Sequence, residues 1–175
     1  MLPHHSCSGI SNKKITINGT NNYQIVIPAN ASKIEEEASL QLKKHLLLLS
    51  KQAPNVVKEN EYNGKNGIFI GQTNNAKKNN VAADALEEDG YVFKNIGDDF
   101  LIQGGSEKGL IFGIYSLLES FGFRKYAADD PLDIPSTINF ELPNDITKIP
   151  KINYRTTNYY EGRDSEYADW NKLSS

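Results

Sequence analysis

One cysteine, one tryptophan and one methionine among 175 residues rule out several kinds of chemistry from the start. With Cys7 alone, no internal disulfide can form and no zinc site built from paired cysteines is possible. Long apolar runs are missing as well: the longest, Leu46 to Leu49, falls far short of the eighteen or so residues that a membrane span needs. Neither sign of charge dominates, since 19 Lys and Arg stand against 22 Asp and Glu for a net charge of -3. That balance gives no long-range attraction for nucleic acid or for an anionic membrane surface. Stability must come from packing, and 175 residues suffice for one ordinary domain with a core, plus a tail.

The start, MLPHHSCSGI, lacks the basic-then-apolar pattern of a signal peptide, so residues 1–12 are expected to be a disordered terminus of a cytoplasmic or trimmed chain. Cys7-Ser8-Gly9 has a faint likeness to a lipoprotein acylation site, but Pro3-His4-His5 is not the apolar segment such a signal requires. The sequons at Asn18 and Asn30 would matter only in a glycosylating secretory pathway.

Two isoleucine-rich runs, Lys14 to Asn18 and Tyr23 to Pro28, flank Gly19-Thr20-Asn21-Asn22 and read as a hairpin. Ser32 and Glu35 fit a capping box for a helix whose stripe is Ile34, Ala38, Leu42, His45, Leu46 and Leu49, ending near Pro54. His45 lies on or beside that stripe with no second metal-type ligand at suitable spacing, so it reads as a partly buried, hydrogen-bonded histidine. Asn55 to Lys58 and Lys65 to Gly71 are strands of unequal strength. The polar stretch from Thr73 to Ala85 reads as a connection, with a short exposed helix around Val81 to Leu86.

From Asp89 to Tyr126 the pattern is strongest. Tyr91 and Phe93 alternate with Val92 and Lys94, Asn95 to Asp99 supplies a turn, and Phe100-Leu101-Ile102 is a second strand. A helix follows, with Leu110, Ile114, Leu117, Leu118 and Phe121 on one stripe, Ser106 as N-cap and Gly122 just past its end. Thr137 to Leu142 reads as a last strand and Pro143 to Pro150 as a linker. Beyond it, Lys151 to Ser175 mixes aromatics and charges with little periodicity, like the beginning of another unit whose removal should leave stability nearly unchanged.

Motifs for chemistry are scarce. Gly104-Gly105-Ser106-Glu107-Lys108-Gly109 precedes a helix, yet Leu110 and Ile111 stand where a phosphate loop needs Lys and then Ser or Thr, and GxGxxG is absent. The better reading is structural: Gly104 and Gly105 turn the chain, while Gly109 and Gly113 allow close packing of the helix. Asp98-Asp99 and Asp129-Asp130 read as turn and loop residues, since glycoside hydrolysis needs two carboxyl groups held about 5 to 10 Å apart on rigid elements. GxSxG and HExxH do not occur.

The residues Asp89, Gly90, Tyr91, Ile102, Gly104, Gly109, Phe112, Gly113, Tyr115, Leu117, Leu118, Glu119, Gly122, Arg124 and Tyr126 together resemble the N-terminal domain found ahead of the catalytic barrel in bacterial alpha-glucuronidases and related polysaccharide-associated proteins. A similar domain precedes the barrel of beta-hexosaminidases. The resemblance implies an α+β fold, a mainly antiparallel (mixed) sheet with two long helices on one face, over residues 13–149. It also implies that 150–175 are a linker and the start of a (β/α)₈ barrel, which in those families carries the catalytic residues. On that view the partner is the following barrel, there is no catalytic residue, metal or cofactor here, and the intact protein is a secreted, periplasmic or surface-attached bacterial protein handling plant-type or host polysaccharide.

With the barrel present, Arg155, Tyr159, Tyr160, Arg163 and Trp170 become candidate sugar-binding residues, because aromatic faces stack on sugars and arginines pair with a uronate carboxylate. Packing of the interdomain surface, or disorder, is the other reading of the same residues. Three functions stay open: a non-catalytic accessory domain, a free-standing carbohydrate-binding or interaction module, and an independent small enzyme.

Overall fold

The computed structural model describes residues 16–17, 23–50, 52–136, 140–151, 155 and 164–173. Cys7, the Asn18 sequon, Tyr159, Tyr160 and Arg163 lie outside the described residues.

Among the described residues, eight strands and four α-helices follow in the order β1 (Thr16–Ile17), β2 (Gln24–Ile27), α1 (Lys33–Ser50), β3 (Asn55–Lys58), β4 (Gly67–Ile70), α2 (Asn74–Lys78), β5 (Tyr91–Ile96), β6 (Asp99–Gly104), α3 (Glu107–Ser120), β7 (Phe140–Glu141), β8 (Ile146–Lys148) and α4 (Ser165–Trp170). The main sheet has the order β3-β2-β4-β6-β5-β8, and β1 with β7 makes a separate antiparallel pair. This is the expected α+β fold, with a mixed sheet and two long helices. Within it, β3-β2-β4-β6 pair in parallel, while β5 is antiparallel to both β6 and β8.

The parallel half corrects one local reading. Glycine and asparagine between the first two isoleucine-rich runs suggested a hairpin, but β2 spends one edge on β3 and the other on β4. A strand has only two edges, so β1 pairs elsewhere, with β7. β8 falls inside the stretch read as a linker, and α2 inside the stretch read as a connection; the expected helix near residues 81–86 is a 3₁₀ turn, Ala83–Leu86.

Both long helices cover one face of the sheet. Ile25 and Ile27, Ile68 and Ile70, and Phe100 and Ile102 alternate toward them, meeting Ala38, Leu42 and Leu46 of α1 and Leu110, Ile114, Leu117 and Leu118 of α3. The intervening Val26, Phe69 and Leu101 point to the opposite face, where α2 supplies Ala76. Strands apolar on both faces are what parallel pairing under two layers requires. The capping box forms as read, with Glu35 N–H donating to Ser32 Oγ at 3.2 Å and Ser32 N–H donating to Glu35 Oε2 at 2.8 Å. Ser106 Oγ likewise accepts from Gly109 N–H at 3.2 Å at the start of α3.

Candidate functional site

The connection leaving β2 runs through α1 to β3, whereas the chain leaving β4 runs the other way, to β5 and β6. A crevice therefore opens at the carboxyl ends of β2 and β4, the position where open sheets with parallel strands commonly take ligands. It measures about 450 Å³ and is lined by the segments after β2, β4 and β6, with Glu35, Glu59, Lys77, Gln103 and Glu107 among its side chains.

Helix N-termini in such a place usually offer N–H groups to an anion. Here carboxylates of the chain have taken them. Glu35 accepts from Ser32 N–H and, through Oε1, from Gln72 N–H at 2.8 Å, while Glu59 accepts from Asn74 N–H and Asn75 N–H, each at 2.9 Å. Glu35, Glu59 and Glu107 outnumber Lys77, so the crevice repels an anionic ligand, and no aromatic ring lines it to stack a sugar. Gly109 and Gly113 of α3 are packing devices, as expected. A Cβ on Gly109 would overlap the carbonyl oxygen of Gly90, so glycine is what lets α3 lie this close to the start of β5.

The densest charge cluster lies elsewhere, on a residue that the sequence reading used only as part of a signature. Asp89 has a side chain that is 1% exposed, held between Lys108 Nζ at 3.2 Å and Arg155 Nη2 at 2.9 Å. Arg155 Nε also donates to the carbonyl of Lys172 at 2.9 Å, and Lys172 Nζ reaches Glu119 Oε2 at 2.8 Å. Lys108 and Arg155 both lie over the Phe112 ring, each 5.5 Å from its centroid. This network fixes the chain after Pro150 to both ends of α3. An invariant spacing could not have revealed it from one sequence, because its partners are 19 to 83 residues away from Asp89.

Of the residues expected to contact sugar, Arg155 is thus engaged with Asp89, and Trp170 is in the core at 2% exposure, its ring 4.7 Å from that of Tyr115. His45 is hydrogen-bonded as expected, to the carbonyl of Gln41, and is fully buried rather than partly so. Asp99, read as a turn residue, accepts from Gly67 N–H at 2.8 Å and from the Tyr62 hydroxyl. Burial and that bond to Asp99 raise the Tyr62 phenol above its ordinary range.

The surface of α1 carries one further feature. Leu40, Leu47 and Leu48 are 59%, 45% and 45% exposed, on the side of the helix away from Leu42, Leu46 and Leu49. Among the described residues no helix is long and apolar enough to cross a membrane, and no cluster of three His, Cys, Asp or Glu side chains is placed to hold a metal ion.

Many solved structures match the fold, two glycoside hydrolases among them. One is a family 115 4-O-methyl-alpha-glucuronidase with specificity for decorated arabinogalactans, 14% identical over 81% of this chain and 19% of that one, with a TM-score of 0.59. The other is an inactive mutant of the family 20 exo-beta-N-acetylglucosaminidase from Vibrio harveyi, 17% identical over 83% of this chain and 18% of that one, with a TM-score of 0.51. The chain therefore spans about a fifth of the length of each. No curated protein has a matching sequence. The shared fold is a mixed-sheet α+β domain of a kind found within longer glycoside hydrolases. More narrowly, residues 8–117 match the family described as Glycosyl hydrolase family 67 N-terminus, and the chain belongs to that family.

Proposed function

We propose that this chain serves as the non-catalytic accessory domain of a glycoside-hydrolase-type polypeptide, lying against a following catalytic-type barrel that acts on plant-type or host polysaccharide. The observation that carries this reading is the outward leucine row of α1. Leu40, Leu47 and Leu48 leave apolar surface in water on the rigid helix layer of a domain whose structural neighbours are about five times longer. Covering a half-exposed leucine contributes about 1 kcal/mol, so three of them supply a useful docking surface.

The carboxylates of the crevice support the non-catalytic part, because Glu35 and Glu59 are held by backbone N–H groups rather than left facing one another across an open cleft. The reading also places the intact protein outside the bacterial cytoplasm, where polysaccharide is met. An open reading frame running some hundreds of residues past Ser175 is the expected genetic context, and a stop codon directly after it would sink the proposal. The chain by itself should give no saturable heat with xylan-derived oligosaccharides in calorimetry, since its crevice lacks an aromatic platform; clear saturation would favour a carbohydrate-binding module instead.

A further inference from the structure

His45 is wholly enclosed although imidazole is a titratable group. Its Nδ1 lies 2.8 Å from the carbonyl of Gln41, an acceptor, so Nδ1 carries the proton and Nε2 keeps a lone pair. Among the described residues the buried Nε2 has no hydrogen-bond partner. The ring meets Phe123 edge-on at 5.3 Å between centroids and Trp170 at 5.7 Å. Trp170 ends α4, is itself buried, and its indole N–H likewise has no partner among the described residues. A neutral imidazole fits this enclosure. An imidazolium would put a second N–H and a full charge where the described residues offer Nε2 no hydrogen-bond acceptor.

We propose that His45 is a proton-operated latch for α4: in its neutral form it seats Trp170, and on protonation it expels the indole and frees residues 164–173 from α1 and α3 while the sheet stays folded. The part released is the part that carries the Lys172 contacts to Arg155 and Glu119, so the latch controls how the chain leaves this domain. This inference stands independently of the accessory-domain reading.

The charges around the ring come from three elements. Burial, the largest influence, holds His45 below its ordinary value; Lys44 on α1 acts the same way, and Glu166 on α4 opposes it. Asp169 on α4 is pushed up to about 6, first by burial and then by Glu37 of α1 and Glu166. Tyr115 of α3 is raised by burial and stays protonated throughout. A lowered histidine binds its proton first in the released form, so docking weakens as pH falls below about 6.5. A raised aspartate binds its proton first in the docked form, so Asp169 strengthens docking as pH falls through about 6. The enclosed ring, whose Nε2 has no hydrogen-bond partner among the described residues, is what opens the latch, and Asp169 opposes it.

Trp170 is the only tryptophan in the chain, so its fluorescence reports α4 directly. Emission maximum and acrylamide quenching are followed from pH 8 down to pH 4 on the whole 175-residue chain, with far-UV circular dichroism as the control for global folding. The expected result is a red shift and a several-fold rise in quenching below about pH 6.5, with the dichroism retained. His45→Phe and His45→Gln should each remove that transition, and Asp169→Asn should enlarge it by removing the opposing titration. Emission that stays blue-shifted in the wild type while the fold persists, or a red shift of the same size in both His45 variants, overturns the proposal.

Discussion

Glu35 and Gly71 illustrate how a single residue here joins elements far apart in the chain. Glu35 closes the capping box of α1 with one oxygen and accepts the N–H of Gln72 with the other, so it ties the start of the long helix to the end of a central strand. Gly71 makes room for it. Its φ of +81° lies in the left-handed region, and a Cβ there would overlap the Glu35 carboxylate. Gly71→Ala should therefore cost more than the roughly 1 kcal/mol of a left-handed alanine alone, about 2 to 4 kcal/mol with the displaced carboxylate. Glu35→Ala should cost about 2 to 3 kcal/mol, as it leaves two backbone donors without their acceptor. Urea titration checks both: the midpoint falls while the slope is unchanged. Unaltered midpoints would mean that water replaces the carboxylate without loss.

At the scale of elements, α4 is the most consequential. Residues after Pro150 look, in sequence, like the opening of another unit, because aromatics and charges there show no period to fold on. The described ones among them have partners in this domain: Trp170 and Ala168 are buried, Arg155 holds Asp89, and Lys172 holds Glu119. Trp170→Ala should thus lower stability by about 3 to 5 kcal/mol. Truncation before residue 164 should lower the melting temperature clearly; a melting temperature within a degree or two of the full chain would show that α4 is only resting on the surface.

The same comparison shows which elements a single sequence discloses. α1 and α3 were legible because Ala38, Leu42, Leu46, Leu49 and Leu110, Ile114, Leu117, Leu118 repeat at the helical period, and their caps carry the right side chains at the right spacing. The β5–β6 pair was legible from alternation and its turn, with Gly97 at φ +62°. Strand partnership was not. Whether β1 joins β2 or β7 depends on which edges other strands occupy, and that information is long-range. The Asp89 network and the role of Trp170 were hidden for the same reason, and α2 and β8 were hidden because each is too short for a period to emerge.

For the whole molecule, the two helices close the core on their inner sides, and the outer side of α1 carries three exposed leucines among the charged Lys33, Glu36, Glu37 and Lys44. A helix with leucines on both sides, one set packed and one set in water, is an element made for two neighbours. Lys44 and Glu166 stand 4.0 Å apart beside that outer row and would form part of its polar rim. The central claim is that this row is the docking face for the remainder of a glycoside-hydrolase-type polypeptide. Isothermal calorimetry between this chain and that remainder, produced separately, tests it most directly. The account predicts saturable association that weakens at least tenfold, about 1.4 kcal/mol, in the Leu40→Ser, Leu47→Ser, Leu48→Ser triple variant. Association of equal strength with the variant, or none with the wild type, would contradict it.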